Sequence, residues 1–439
     1  MSDFSSSKSN NNSSSDIDSV SSVTSSSIDS DQLDEEFYDF KGKVIDDYNI
    51  IKLLGRGSFS GVWLCFSISD SKFYAIKIQN PGDYKDGVEE IKILKKLPKH
   101  ESILDMKKYF IFKQGSNSFL CSIYDLHFSN VDYLLRKGNF KEGFPLDSVK
   151  KIFYQIVYAI YILHSKCKFT HCDLKTDNIL VKGINDYDKK IIDLYISENF
   201  PQKYLDKKKE HWCVELGKNE DKIKNMKPEI KQKIRKLVHK QIIQNIESTL
   251  NEKINDKKNG TYEYHQSLND ISITLADFGA TCTNDEFYED QFGTRYYMSP
   301  EVLLMGKITN KIDIWALGCI LYELINGSML FDPEKDKTHS RDYYHLLEIS
   351  KVSGKFSKQF LKSTKYYKKF FDKNCYIKDT QYREYYDLNE LFDKIEDISE
   401  KELVLDLIKK TLKIDPRERI SAKDILTHKW FSEYNNSYI

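Results

Sequence analysis

Two short polar loops restrict the folds that this chain can adopt. The first, HCDLKTDN at 171–178, precedes the apolar ILV, and the second, DFGA at 277–280, follows ISITLA, so each borders a short strand-like segment. Asp277 follows Asp173 by 104 positions, whereas connections longer than about 12–15 residues are uncommon inside a compact domain. If the two loops converge on one site, the stretch between them, about 183–270, must be an insert.

Composition narrows the class of protein. The chain has 439 residues, of which 40% are hydrophobic, so a substantial core can form. Lys+Arg and Asp+Glu are both 67, a balance that argues against direct nucleic-acid binding by a general basic surface. No apolar signal core or run of about 18 apolar residues is visible, which predicts no membrane segment. The eight cysteines are scattered without a CxxC pair, which indicates reduced thiols in an intracellular protein, cytoplasmic, nuclear or both.

The pattern changes along the chain. Residues 1–40 are mostly Ser, Asn and Asp, which predicts a disordered acidic tail, either a solubilising or a regulatory phospho-acceptor segment. Strand patterns begin at Tyr48, a long helical pattern follows at 147–166, and helical patterns dominate from Asn310 onward. This order predicts an α+β protein with two lobes.

A glycine-containing turn joins the first two predicted strands. The candidate nucleotide-binding residues of this turn are Leu54, Gly55, Arg56, Gly57, Ser58, Phe59, Ser60, Gly61 and Val62. Glycines let a backbone approach a phosphate chain and point N–H groups at it, although the same pattern can be an ordinary hairpin. The turn is not a Walker loop because no Gly-Lys-Ser/Thr closes it, and it is not a dinucleotide fingerprint because a strand pattern follows.

Lys77 lies in the apolar strand YAIKI, where burial without a partner would be costly. By itself it could be an outward-facing lysine on an alternating strand. Glu90 follows on an amphipathic helix and could turn inward to pair with it, with Glu89 as the neighbouring alternative. The apolar stripe of Leu94 shares the side of Glu90 better.

The two polar loops carry groups suited to phosphoryl transfer. Asn178 and Asp277 offer the oxygen ligands that Mg²⁺ prefers. Asp173 can take a proton from an incoming hydroxyl, and Lys175 can neutralise charge on the transferring group. Each residue alone could be an ordinary loop residue or helix cap; the order and spacing of all four favour chemistry.

At this point the chain resembles the eukaryotic protein kinase family. The matching pieces run in the family's order over about 48–432: LGRGSFSGV, AIKI, Glu90, HCDLKTDN, DFG, SPE, DIWALG and DPRERI. The resemblance implies a two-lobed kinase fold, with a small β-rich N-lobe at about 48–126 and a larger helical C-lobe at about 127–432. It also implies ATP and Mg²⁺ as cofactors and a protein substrate.

The resemblance also implies individual roles. The glycine loop covers the ATP phosphates, Val62 and Ala75 cap the adenine, and Lys77, held by Glu90, contacts the α- and β-phosphates. Asp173 orients the acceptor hydroxyl, Lys175 approaches the γ-phosphate, and Asn178 and Asp277 bind Mg²⁺. Further implied positions are Tyr124 behind the adenine pocket, 125–127 as the hinge, Thr294 against Asp173, Glu301 paired with Arg419, Asp313 bracing the catalytic loop, and Leu94, His171 and Phe278 in the regulatory apolar column.

Lysine two residues after Asp173 is the serine/threonine pattern. Cys172 departs from the family, which usually has Arg before this Asp to bind an activation-loop phosphate. We therefore expect little dependence on phosphorylation of that loop.

The insert resembles the spacer of the SR-protein kinase branch, whose members phosphorylate Arg-Ser dipeptides through an acidic docking groove. The small residue at 172 and the segment GDYKDGVEEIKIL agree with that branch, whereas GTRYYMSPE looks generic. The acidic segment 387–402 could contribute to such a groove or be a solvated helix face.

Within the insert, apolar residues at helical spacing predict one helix: Ile230, Ile234, Val238, Ile242, Ile246, Leu250 and Ile254. Its apolar face requires a partner, either the kinase lobes or another protein. The alternative function is therefore a pseudokinase or scaffold that binds partners through this helix and the tail.

Overall fold

The computed structural model describes residues 38–57, 59–216, 227–253, 264, 268–283, 293–380 and 385–434. The predicted tail lies outside the described residues except at 38–40. There Phe40 is buried and packs edge-on against Trp63 and Phe119. The folded part therefore includes residues that precede the predicted boundary at 48.

Six antiparallel strands form the N-terminal sheet, in the order β1-β2-β3-β4-β6-β5. Their bounds are β1 Val44–Ile45, β2 Tyr48–Arg56, β3 Ser60–Ser67, β4 Lys72–Gln79, β5 Lys108–Gln114 and β6 Asn117–Tyr124. Successive side chains of a strand point to opposite faces. In β3, Trp63 packs with Phe40 on one face, while Leu64 and Phe66 join a second apolar cluster on the other. Both faces of the sheet are thus covered at β3, which explains the near-continuous apolar run of this strand, whereas the edge strand β5 is largely exposed.

Helices and short strands form the rest of the fold. The helices are α1 Tyr84–Leu94, α2 Val131–Arg136, α3 Leu146–Tyr161, α4 Asp186–Ser197, α5 Phe200–Leu216, α6 Pro228–Lys253, α7 Pro300–Leu303, α8 Lys311–Asn326, α9 Arg341–Ser353, α10 Lys358–Lys362, α11 Tyr367–Phe370, α12 Leu388–Leu391, α13 Ile398–Thr411 and α14 Ala422–Leu426. A π-helical turn, Ile162–Cys167, continues α3, and 3₁₀ turns lie at Pro81–Asp83, Thr176–Asn178, Leu268–Asp270, Arg295–Tyr297, Pro416–Glu418 and Lys429–Phe431. Within the described ranges, no helix is long and apolar enough to cross a membrane.

Two small sheets carry the polar loops. Strands β7 His127–Asn130, β9 Ile179–Lys182 and β10 Ile273–Leu275 form one sheet in the order β10-β9-β7. Strands β8 Phe169–Thr170 and β11 Cys282–Thr283 form the other. Because β9 and β10 pair side by side, the two ends of the insert meet at neighbouring strands. The sequence separation of 104 positions is therefore bridged within one sheet.

The insert packs on the N-terminal sheet. Its helices α4, α5 and α6 enclose a cluster of buried residues with strands β2 and β3: Ile51, Leu64, Phe66, Ile191, Tyr195, Phe200, Ile234, Val238, Ile242, Ile243 and Ile246. The predicted helix is present as α6, and its apolar stripe faces this cluster, with Ile230 at the edge. The Leu250 side chain and Ile254 lie outside the described residues. Helices α4 and α5 were not predicted from the polar sequence.

Polar contacts reinforce this attachment. Lys52 Nζ on β2 is 2.6 Å from Asp188 Oδ1 on α4. The buried His239 of α6 donates from Nε2 to the Ile50 carbonyl at 2.8 Å, while its Nδ1 lies 3.3 Å from the Tyr195 hydroxyl. Burial lowers the pKa of His239 to about 4, so the imidazole is neutral at pH 7.

Candidate active site

The glycine-containing turn between β2 and β3 leaves open space beside its backbone. Gly57 N–H donates to the Ser60 carbonyl at 2.9 Å. A Cβ added at Gly55 would meet no atom within 4 Å, and one added at Gly57 would meet nothing nearer than 3.7 Å. The packing of the protein therefore does not itself require glycine at either position. Ser58 lies outside the described residues, and Phe59 is largely exposed.

Apolar side chains lie beside this turn, on the side of the main core. Leu54 and Val62 are partly buried and contact the main core, and Ala75 is buried. Ala75 pairs in register with Tyr124, which is buried at the end of β6. The remaining predicted turn residues, Arg56 and Gly61, pair with each other across β2 and β3. These walls lie next to Lys77, which pairs with Val62 across β3 and β4.

Lys77 joins helix α1 to the second polar loop. Its Nζ lies 2.8 and 2.7 Å from the two carboxylate oxygens of Glu90 and 3.5 Å from Asp277 Oδ1. Glu89, the alternative partner, instead pairs with Lys92 at the surface. Desolvation would lower the pKa of Lys77, but the carboxylates of Glu90 and Asp277 raise it well above its usual value. The lysine is therefore charged and held at two points.

Asp277, in the second polar loop, is the second carboxylate near the Lys77 ammonium. Its backbone has a φ of 60°, an uncommon conformation for a residue other than glycine. Desolvation opposes its ionisation, but the positive charge of Lys77 lowers the pKa of the Asp277 carboxyl below its usual value. The carboxylate is thus ionised and half-exposed, and is available to bind a cation.

The first polar loop holds Asp173 with three neighbours. Thr294 donates its hydroxyl to Asp173 Oδ1 at 2.8 Å, and Lys175 Nζ lies 2.9 Å from Asp173 Oδ2. Asn178 Nδ2 donates to the Asp173 carbonyl at 2.9 Å. Although desolvation lowers the pKa of Lys175, the charges of Asp173 and Asp277 raise it. The backbone N–H of Ala276 donates to the Asn178 carbonyl at 2.9 Å, so the structure brings the two predicted loops together.

Asp313 on α8 fixes the backbone of the first loop from below. Its carboxylate accepts the backbone N–H groups of His171 at 2.8 Å and Cys172 at 3.0 Å, and it lies 2.8 Å from His164 Nε2. Desolvation opposes ionisation here, but the His164 hydrogen bond and the further charges lower the pKa of the Asp313 carboxyl. A buried carboxylate with these donors holds the loop in one conformation.

Two other predicted pairings are also present. Arg419 donates to both oxygens of Glu301 at 2.6 Å, and both side chains are buried. The rings of His171 and Phe278 lie 5.4 Å apart, and Leu94 is buried in the same core. The Glu301 pair ties the segment after the polar loops to the C-terminal helices.

The oxygen atoms of this site could bind a hard cation such as Mg²⁺, together with oxygen atoms of a bound phosphate group. Asn178 uses Nδ2 toward Asp173, which leaves its Oδ1 as the oxygen donor, and Asp277 supplies a carboxylate. Among the described residues, no group of three His, Cys, Asp or Glu side chains could hold a metal ion alone. Oxygen ligands from a nucleotide would have to complete the coordination, as is usual for Mg²⁺.

A buried hydrogen-bond network beside the first polar loop was not predicted from the sequence. Tyr297 donates its hydroxyl to Glu323 at 2.6 Å and lies 3.1 Å from the Thr176 hydroxyl, and Arg136 pairs with the same Glu323. Burial raises the pKa of Glu323 to about 7. The signal was a glutamate inside the apolar helix WALGCILYELI. The network connects helix α2 and the segment at 293–301 to the first polar loop.

A close contact of two thiols was also missed. Cys172 Sγ lies 3.1 Å from Cys282 Sγ, and both residues are buried. Cys172 was noticed only for the arginine that it replaces. Their 110-residue separation gave no sequence signal.

Comparisons with known proteins agree with this geometry. A sequence model of the protein kinase domain matches residues 48–216 and 264–431, on both sides of the insert. A protein of Acanthamoeba polyphaga mimivirus named as a serine/threonine-protein kinase is 26% identical, with 88% of each chain covered. Serine/threonine-protein kinase SRPK of Physarum polycephalum is 25% identical over 88% of this chain and 86% of its own, and SRSF protein kinase 3 of Mus musculus is 24% identical over the same shares. The chain therefore belongs to the protein kinase family, and its similarity extends to SRPK-type serine/threonine kinases.

Proposed function

We propose that this chain is an active serine/threonine protein kinase that transfers the γ-phosphate of ATP, with Mg²⁺, to hydroxyl groups of protein substrates. The observation that carries the proposal is the position of Lys77, 2.7 Å from Glu90 and 3.5 Å from Asp277. This lysine binds the α- and β-phosphates, and Glu90 keeps it in place. The open glycine turn covers the phosphate chain, and the apolar walls at Val62 and Ala75 take the adenine.

The first polar loop supplies the groups at the acceptor. Asp173 orients the substrate hydroxyl and accepts its proton. Lys175 neutralises charge on the transferring phosphoryl group, because its ammonium lies 2.9 Å from the Asp173 carboxylate. Asn178 and Asp277 hold Mg²⁺, which neutralises phosphate charge when bound. Phosphoryl transfer needs positioning and charge neutralisation more than covalent chemistry.

We propose a basic substrate segment, of which Arg-Ser repeats are one kind. Asp132 and Asp177 support this, since burial first and then their mutual repulsion raise the pKa of Asp132 to about 6. Arg136 lies 3.3 Å from Asp132 and also pairs with Glu323, and Lys137 and Lys175 add positive charge, yet the pKa of Asp132 stays raised, so its negative charge is compensated only in part. A cationic side chain of a substrate would complete the compensation.

The acidic segment at 387–402 supports substrate binding less well. Asp387 caps α12 by accepting the Asn389 N–H, and Asp397 caps α13 by accepting the Glu400 N–H. Glu400 also accepts the Trp430 indole N–H at 2.7 Å. These acids have structural roles, so the helix-face interpretation is favoured here.

The pseudokinase alternative is disfavoured because pseudokinases usually lose the lysine, the loop aspartate or the metal aspartate, and all three are present. The insert helix already covers an internal surface, and binding of a further partner by the insert or tail stays a prediction. We also propose little dependence on activation-loop phosphorylation, since Cys172 offers no cation for a phosphate.

The test measures transfer of labelled phosphate from ATP-Mg²⁺ to an Arg-Ser peptide, an Asp-Ser peptide of equal length and a generic basic protein. The enzyme is the full chain made in bacteria and treated with phosphatase. We expect transfer to the basic substrates, and Asp173→Asn is the matched control that keeps nucleotide binding. Failure of the wild-type chain to transfer phosphate while it binds ATP normally would support the scaffold alternative.

A further inference from the structure

The thiols of Cys172 and Cys282 lie in contact, the first inside the first polar loop and the second just after the second polar loop. Both are free cysteines, 5% and 6% exposed, with their sulfur atoms 3.1 Å apart. Cys172 immediately precedes Asp173, and Cys282 follows Asp277 by five residues. One covalent bond between the sulfurs would therefore join the catalytic loop to the segment that follows the second polar loop.

Strand pairing brings the two cysteines side by side. Strand β11 pairs with β8, and Cys282 lies opposite Thr170, two residues before Cys172. A disulfide requires sulfur atoms about 2.05 Å apart. The two sulfurs must therefore approach each other by about 1 Å, which is within the reach of side-chain rotation and a small backbone shift.

We propose that this pair is a redox modification site, at which a hydroperoxide forms an intramolecular disulfide that reversibly lowers the rate of phosphoryl transfer; the effect on rate rests on the proposed kinase function. One thiol sulfur attacks the peroxide oxygen, which breaks the O–O bond, releases an alcohol or water and leaves a sulfenic acid. The second thiol then attacks that sulfur and expels water. Two thiols and one hydroperoxide thus give one disulfide, one alcohol or water, and one water.

The surroundings set the rates of these two steps. The hydrogen bond to Cys282 and burial raise the pKa of the Cys172 thiol far above its usual value, which slows attack on the peroxide. The second step is fast because the sulfurs are already in contact. Oxidation of this pair therefore requires longer treatment with peroxide than oxidation of a surface thiol does. Little sulfenic acid accumulates.

The packing around Cys172 would pass its displacement to Asp173. Cys172 N–H is held by Asp313 at 3.0 Å on one side. On the other, Gly293 passes so close that an added Cβ would lie 2.8 Å from the Cys172 carbonyl oxygen. A misplacement of about 1 Å near a reacting group can cost about 10²-fold in rate. We expect the disulfide to lower the transfer rate by about 10- to 100-fold.

The experiment incubates the full chain with hydrogen peroxide, blocks the remaining thiols, and maps tryptic peptides by mass spectrometry with and without dithiothreitol. We expect a reductant-sensitive link between the peptides that contain Cys172 and Cys282. The same samples are assayed for phosphate transfer, and we expect activity to fall with the extent of linkage and to return after reduction.

Cys282→Ser should have wild-type activity when reduced and should resist peroxide. Cys375→Ser removes a partly exposed thiol and should behave like wild type.

Three results would overturn the proposal. The first is the absence of the linked peptide when Cys375 is already oxidised, and the second is full linkage with an unchanged transfer rate. The third is equal loss of activity in Cys282→Ser, which would move the effect to another cysteine. Peptide mapping of the wild-type chain does not require that any variant folds. An absence of transfer by the reduced wild-type chain would instead refute the kinase function, and the mapping would still decide whether the disulfide forms.

Discussion

Replacement of Ile242 by alanine tests whether the insert is an integral part of the N-terminal lobe. Ile242 is fully buried between α6 and the strands that carry Ile51, Leu64 and Phe66. The change removes about three methyl or methylene groups at about 0.8 kcal/mol each, and the cavity that remains adds to this loss. We therefore expect the free energy of unfolding to fall by about 2–5 kcal/mol.

The assay is denaturant unfolding followed by tryptophan fluorescence, because Trp63 lies in the sheet that α6 covers. Leu237→Ala, on the same helix but half-exposed, is the matched control and should change stability by less than about 0.5 kcal/mol. The glycine turn joins two of the covered strands, so Ile242→Ala should also raise KM for ATP. Equal unfolding midpoints for the two variants would refute the idea that the insert supports the lobe.

Three other predictions follow from contacts in the site and the insert. Asp173→Asn should lower kcat by about 10²–10⁴-fold with little change in nucleotide affinity, as measured by steady-state kinetics and calorimetry. Glu90→Gln weakens the hold on Lys77 and should lower kcat/KM for ATP by about 10- to 100-fold, and unchanged kinetics would contradict the role of this pair. The folded-state pKa of His239 is lowered from 6.5 to about 4, so the unfolded chain binds more protons between these values. The contribution of neutral His239 to the free energy of unfolding should therefore be fully present above pH 6.5, and the free energy should fall by about 3 kcal/mol as the pH drops to 4. In denaturant titrations, His239→Gln should lack this part of the pH dependence.

Local sequence signals predicted most of the site and the order of its elements. The polar loops flank short apolar strands, and the amphipathic stripe of α1 favoured Glu90 over Glu89, which is the pairing in the structure. The stripe of α6 likewise predicted a helix with a buried face. These patterns are readable because each depends on residues close together in the chain.

Contacts between distant segments could not be predicted in the same way. The Cys172 and Cys282 sulfurs meet only because β8 and β11 pair. Arg136 and Glu323 lie on helices that come together through the packing of the C-terminal lobe. Helix α5 was missed because its lysine-rich sequence has little apolar periodicity, and it is stabilised by packing against α6.

The attachment of the insert has a consequence for the evolution of the family. Its ends leave from two hydrogen-bonded neighbours, so a short turn between Val181 and Ile273 could replace the whole excursion without rerouting the chain. Its removal would nevertheless expose Ile51, Leu64 and Phe66 to water. Relatives without the insert should carry hydrophilic side chains at those three positions or cover them with a different segment. Gain or loss of the insert should therefore be accompanied by substitutions on the sheet face that it covers.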